Sequence, residues 1–177
     1  MRIRDSGMPD ESYWETLFDV PLTLSRFNIQ QYRDVAELGC GYGTFSIPVA
    51  RAISGTLNTY DVDPVMLHRT RERGVGLPIV CEQRDVMESG FGVQVDAVLL
   101  FNILHCEQPT TLLRHAAEAA SEILVTHWRY GVTPRGPRLD MRPRPEQVVE
   151  WATEVGLHAG EVIDLPPWHY GLRITAP

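Results

Sequence analysis

The chain has 177 residues, 44% of them hydrophobic and 22% charged, with a formal net charge of −7. That length supplies one well-buried core but not two comfortable domains, and the composition is that of an ordinary soluble globular protein. The acidic balance argues against a nucleic-acid partner, which needs a basic face to neutralise phosphates.

In chain order, the N-terminal stretch 10–32 carries apolar residues at 13, 14, 17, 18, 24 and 27, a helical spacing, with Pro21 expected to separate two short helices. Strands are then expected at 34–38, 56–60, 78–82, 95–101 and 122–127. Helices are expected at 44–53, 64–73, 109–119 and 145–155. Apolar strands alternating with amphipathic helices predict a parallel α/β sheet. Residues 95–101 are apolar almost throughout, as a central strand buried on both faces requires. Pro48 falls early in its helix, where a missing N–H costs little. Past Gly156 the pattern changes, and 160–165 and 168–175 read as two strands around Pro166-Pro167. The stretch 133–145 is a loop rich in proline and arginine.

No apolar run approaches the length of a membrane span, so no membrane partner is expected. The opening Met-Arg-Ile-Arg-Asp-Ser-Gly carries no apolar signal-peptide core, and the cytoplasm is the expected location. All 16 basic residues are arginine, which genomic base composition accounts for. Cys40, Cys81 and Cys106 are odd in number and form no Cys-x-x-Cys pair, so neither a disulfide nor a metal site is expected.

The most informative stretch is 35–50. An apolar strand ends at Glu37, glycines stand at 39, 41 and 43, and a helix begins near Thr44. Glycines at such a turn permit positive φ and close approach of a ligand to the main chain. The carboxylate of Glu37 at the same turn suits a ligand bearing hydroxyls and an ammonium, and would repel a pyrophosphate. Asp61 ends the second strand roughly 20 residues later, where an acidic side chain accepts hydrogen bonds from a ribose. Asp63-Pro64 reads as the cap and first turn of the following helix.

With Glu37-Leu-Gly-Cys-Gly-Tyr-Gly43, Asp61-Val-Asp-Pro64, Arg84-Asp85-Val86 and the strand from Asp96 to His105, the chain resembles the class I S-adenosylmethionine-dependent methyltransferases, nearest to the small stand-alone bacterial members. The resemblance implies a Rossmann-like, seven-stranded, mostly parallel sheet with a C-terminal antiparallel hairpin and helices on both faces. It implies a single domain over 1–177, with 1–32 as a helical cover and 33–177 as the core. The cover is either a lid over the pocket, with Tyr13 and Trp14 touching ligand, or a helical pair packed on the sheet.

The resemblance also implies S-adenosylmethionine as cofactor and a small-molecule methyl acceptor. Gly39, Cys40, Gly41 and Gly43 would shape the turn beneath the methionine and ribose parts, with Cys40 a small filler. Glu37 would hold the amino group, Asp61 with Val62 the ribose, and Asp85 with the Val86 N–H the adenine. Phe101 and Asn102 would offer a backbone carbonyl to the ammonium. Methyl transfer needs alignment more than a protein nucleophile, and alignment can supply ~7–11 kcal/mol. Where a general base is required, His105 is the first candidate, His127 the second and Tyr42 the third. Arg135, Arg138, Arg142 and Arg144 either recognise an anionic acceptor or form a solvated loop. Two alternatives stand beside this reading: an NAD-dependent oxidoreductase, and a non-catalytic S-adenosylmethionine-binding protein. Nothing in the sequence fixes the oligomeric state.

Overall fold

Strand β4 (Ala97–Phe101) is apolar and buried at every position, which sets it in the middle of the molecule. In the computed structural model, which describes residues 8–176, β4 runs parallel to β1 (Val35–Leu38) on one side and β5 (Glu122–Trp128) on the other. Beyond β1 the parallel sheet continues with β2 (Leu57–Asp61) and β3 (Ile79–Gln83). Beyond β5 the direction reverses. Strand β8 (His169–Thr175) pairs antiparallel with β5, and its other edge meets β6 (His158–Ala159) and β7 (Ile163–Leu165).

The sheet therefore has eight strands in the order β3-β2-β1-β4-β5-β8-β6, with β7 also on β8. The expected Rossmann-like α/β architecture and its C-terminal antiparallel end are present. The strand count is one higher than expected because two short strands share the outer edge. Residues 160–162 interrupt that edge, although the Gly160 N–H still donates to the Arg173 carbonyl at 2.8 Å.

Successive strand residues face opposite sides, and this divides the core in two. Ala36, Leu38, Val98, Leu100, Ile123 and Val125 face one cluster. It is closed by α5 (Val86–Ser89), α6 (Pro109–Ala119) and α7 (Pro145–Glu154). Val35, Ala97, Leu99, Phe101 and Leu124 face the other. That face is covered by α2 (Val20–Arg26), α3 (Ser46–Ala52) and the turn at 29–31, with α4 (Pro64–Arg73) beside α3. Helices α4, α6 and α7 each begin on a proline, whose fixed φ suits a first helical position. Asp63 caps α4 by accepting from the Val65 N–H at 2.8 Å.

At the N-terminal end, α1 (Glu11–Glu15) precedes α2. Pro21, expected from the sequence to separate them, does not. It sits in the first turn of α2, whose start Asp19 caps through the Leu22 N–H, and the break falls at 16–19. Residues 1–7 of the expected cover lie outside the described residues. Asp96, at the opposite end of β4 from the crevice described below, accepts from the Arg33 and Asp34 N–H groups at 2.7 and 2.9 Å. No described helix is long and apolar enough to cross a membrane.

Gly171 in β8 lets the N-terminal segment lie flat on the sheet. A Cβ there would stand 2.8 Å from Phe27 Cζ and 3.0 Å from Leu165 Cδ1. Phe27 is buried and stacked on Phe101 with ring centroids 5.8 Å apart, so it has little room to retreat. Gly171→Ala is expected to destabilise the fold by about 1–3 kcal/mol through overpacking. The urea unfolding midpoint would report this, and an unchanged midpoint would show that Phe27 yields freely.

Candidate active site

The sequence leaves β1 for β2 on one side and returns to β4 on the other, so a crevice opens between them beyond the strands' carboxyl ends. A cavity of about 870 Å³ occupies it. Glu37, Gly39, Cys40 and Gly41 line it from the end of β1. Asp61 and Val62 line it from β2, Asp85 and Val86 from the turn after β3, and Phe101, Asn102 and His105 from β4 and the segment behind it. Tyr42, Gly43 and His127 stand outside the lining.

Glu37 is 2% exposed on a strand otherwise apolar. Its face of β1 looks toward Thr59, its partner in register on β2, and toward Ser46 at the start of α3. Its Oε2 accepts from Ser46 Oγ at 2.5 Å and from Thr59 Oγ1 at 3.0 Å. Burial pushes its carboxyl up to about 7, against the two hydroxyls, which favour the ionised form; nearby Asp61 adds to the rise.

Asp61 holds the glycine turn. Its Oδ2 accepts from the Gly41 N–H at 3.3 Å and from Cys40 Sγ at 3.7 Å, and its Oδ1 from the Asp63 N–H at 3.0 Å. Burial raises its carboxyl as well, and burial does the same to the Cys40 thiol. The turn is also fastened from α4: Thr70 Oγ1 donates to the Gly41 carbonyl at 3.2 Å, and Arg73 Nη1 to the Tyr42 carbonyl at 2.7 Å. Gly43, at φ +78°, serves this contact, since a Cβ there would stand 3.2 Å from Thr70 Oγ1. Tyr42 turns away from the cavity and donates its hydroxyl to the Pro9 carbonyl at 3.1 Å.

Asp85 caps α5 through Oδ1, which accepts from the Met87 N–H at 2.9 Å. Asn102 adopts φ +58° immediately after β4, a conformation asparagine tolerates better than most residues. His105 and His127 meet: Nδ1 of the first and Nε2 of the second are 3.3 Å apart. His127 is fully buried on β5. Its Nδ1 lies 3.5 Å from the Trp128 carbonyl. Burial, helped by His105, drives its pKa well below the ordinary imidazole range. Among the described residues no cluster of His, Cys, Asp or Glu side chains is arranged to hold a metal ion.

The remaining walls come from two chain segments. From the N-terminal segment, Met8 and Trp14 line the cavity, while Tyr13 lies under the Arg135 guanidinium, 5.8 Å from ring centroid to Cζ. Glu11 ties this segment to α4 through Arg69 and Arg73, at 2.8 and 2.9 Å. Trp14 also touches Phe18 and Trp128, with centroids 5.0 and 6.3 Å apart. The second segment is the arginine loop, from which Arg135, Arg138 and Met141 reach the lining. Thr44, Phe45, Met66, Ile103 and Met141 join the wall without any sequence signal beyond their apolar or small character.

The sequence profile of the methyltransferase domain family matches residues 35–124, just over half the chain, from the start of β1 into β5. A SAM-dependent methyltransferase from Aquifex aeolicus superposes with a TM-score of 0.82 at 19% identity, over 95% of this chain and 94% of that one. The N-methyltransferase NodS from Bradyrhizobium japonicum gives 0.72 at 15%, over 96% and 99%. An O-methyltransferase of neocarzinostatin biosynthesis, crystallised with S-adenosylmethionine and 2-hydroxy-5-methyl naphthoic acid, gives 0.80 at 18%, over 94% of this chain and 55% of that one. These likenesses concern the fold. No curated protein matches the chain in sequence. With the profile spanning the glycine turn, the aspartate that ends β2 and the central strand, the chain belongs to the class I S-adenosylmethionine-dependent methyltransferases, enzymes that take their methyl group from that cofactor.

Proposed function

We propose that the chain transfers the methyl group of S-adenosylmethionine to a small-molecule acceptor held in the same cavity. One observation carries this reading. A single cavity has the carboxylates of Glu37, Asp61 and Asp85 toward one end and His105, Trp14 and Trp128 toward the other. Its volume of about 870 Å³ falls among small-molecule sites, roughly 300–1,000 Å³. The neocarzinostatin enzyme, crystallised with S-adenosylmethionine and a naphthoic acid together, supports a cofactor and a small second ligand in one site. The reading takes 1–177 as one domain with 1–32 as its cover, and the cavity contacts of Met8 and Trp14 support the cover.

The residues present fit the cofactor. The Thr44 hydroxyl and the Asn102 amide oxygen are buried without a hydrogen-bond partner among the described residues, and both residues line the cavity. Buried polar atoms of this kind are normally paired, and a polar ligand would pair them. Glu37 would hold the ammonium, Asp61 the ribose hydroxyls, Asp85 and the Val86 N–H the adenine, and the main chain at Phe101 and Asn102 the methionine end. When bound, the cofactor supplies a methyl group activated by its positive sulfur.

The acceptor end needs a proton acceptor for hydroxyl or amine substrates, and His105 is the base in this reading. The proton of His127 is assigned to Nδ1, which faces the Trp128 carbonyl at 3.5 Å, so that its Nε2 accepts. His105 then donates from Nδ1, and its own Nε2 is the proton-accepting atom. His127, kept neutral by burial, positions the ring rather than touching substrate.

Substitutions at three residues test the assignment. Asp61→Ala is expected to weaken S-adenosylhomocysteine binding at least tenfold by calorimetry, with NAD not binding either protein; wild-type binding of NAD instead would overturn the cofactor reading. His105→Ala should lower turnover with cofactor affinity intact, and unchanged turnover removes His105 from the chemistry. Glu37 adds a pH dependence. Its native carboxyl titrates near 7, above its value in the unfolded chain, so the native state binds more protons between the two. Its contribution is complete on the acid side and is lost as pH rises through about 7, by about 3 kcal/mol. Glu37→Gln should flatten that loss in unfolding measurements. If Glu37 pairs with the ammonium, S-adenosylhomocysteine binding at pH 6.5 should release a proton, seen as a buffer-dependent binding enthalpy that Glu37→Gln abolishes.

A further inference from the structure

The arginine loop is a built wall of the cavity. Arg142 is 7% exposed, and its guanidinium spends its hydrogen bonds on that loop. It donates to the carbonyls of Pro137 at 2.6 Å, Gly131 at 3.1 Å, Arg129 at 3.2 Å and Arg135 at 3.1 Å, and to Thr133 Oγ1 at 2.7 Å. Gly136, at φ +112°, carries the loop directly over the indole of Trp128; a Cβ would stand 2.7 Å from Trp128 Cδ2. The loop is thereby held against the same Trp128 that lines the cavity.

This geometry fixes where the cationic side chains go. Arg135 lines the cavity and is exposed, and among the described residues no carboxylate pairs with it; its guanidinium lies over the Tyr13 ring. Arg138 lines the cavity too and pairs with Asp140 at 3.0 Å, an exposed pair of the kind worth little in water. Charge is consequently sorted along the strand ends. Glu37, Asp61, Asp63, Asp85 and Glu88 line the side of β1, β2 and β3, where Arg84 is paired with Glu82. Glu107 stands between, after β4, and Arg135 and Arg138 line the side of β5.

We propose that the methyl acceptor carries an oxyanion, a carboxylate or a phosphate ester, that docks on Arg135 with Arg138, its apolar body lying against Trp128, Trp14 and Met141. The inference rests on the reading of the cavity as a joint cofactor and acceptor site. A guanidinium fork pairs with two oxygens of a carboxylate or a phosphate by two parallel hydrogen bonds.

The test uses the full chain loaded with S-adenosylhomocysteine, titrated with 1-naphthoate, 1-naphthyl phosphate and 1-naphthamide. At least one anion should bind tenfold or more tightly than the neutral amide, and which one does identifies the oxyanion. In an Arg135→Gln, Arg138→Gln double variant that preference should fall to near unity while S-adenosylhomocysteine affinity stays at the wild-type value. Equal binding of acid, phosphate and amide, binding by none, or a preference that survives the double substitution overturns the inference and leaves the cofactor reading standing. Failure of S-adenosylhomocysteine itself to bind overturns the cofactor reading instead.

Discussion

A carboxyl buried in the middle of an apolar strand is the constraint around which this site is organised. Glu37 is nearly inaccessible, and an ionised carboxylate in such a place is tolerated only when hydrogen-bonded or neutralised. Its two hydroxyl partners come from different elements, Thr59 from β2 and Ser46 from α3. Both contacts require β1 and β2 to pair in the observed register and α3 to start where it does. A slip of one residue would turn Glu37 to the face that holds Leu38 and Val98, where apolar side chains alone would meet it. The site's electrostatics and the sheet's register are thus the same requirement seen twice.

The glycine turn is held by a second carboxylate rather than by its own backbone alone. Asp61 binds the Gly41 and Asp63 N–H groups, and Thr70 and Arg73 of α4 fasten the carbonyl side. The turn is preorganised before any ligand arrives, which limits the ordering entropy that binding must overcome. The N-terminal segment is attached differently. Its α1 end is tied to α4 by partly exposed ion pairs, weak in water, and to Trp128 on β5 by edge and tilted ring contacts of Phe18 and Trp14. The rigid floor and the α1 end of the N-terminal segment, unlike the buried Phe27 and Ile29 farther along it, differ in the number of buried contacts each would lose on opening.

Sequence periodicity made the long elements legible. The bounds of α4 and α6 fall at 64–73 and 109–119, as their proline starts and apolar spacing predict. What escaped is short or depends on distant partners. Helix α5 has four residues and β6 two, too few to show a period, and the divided outer edge made a seventh position into two strands. Residues of the glycine turn and strand ends were legible as cavity neighbours because one strand end and one turn place them. Gly43 and Tyr42 were not separable from their neighbours, since only the approach of α4 and the position of Pro9 decide which way they face. Asp85 follows β3 where the sequence predicts it, and its role as cap of α5 becomes visible only through the Met87 N–H that it meets. The His105–His127 contact joins residues 22 apart that β4 and β5 bring side by side.

The two halves of the cavity differ in what shapes them, and this decides how freely each can vary. The acidic half is made by strand ends, and moving any one of them disturbs the sheet. The other half is made by the N-terminal segment and by a loop whose form depends on one buried guanidinium with five acceptors. Removing Arg142 would free four carbonyls and a hydroxyl at once, yet every one of them lies within residues 129–137 or on the adjoining turn, outside the sheet interior. The loop can therefore change its length and charge without altering the register that seats Glu37 and Asp61. Acceptor recognition on such a loop is separable from cofactor recognition on the strands, and a change in the one leaves the geometry of the other in place.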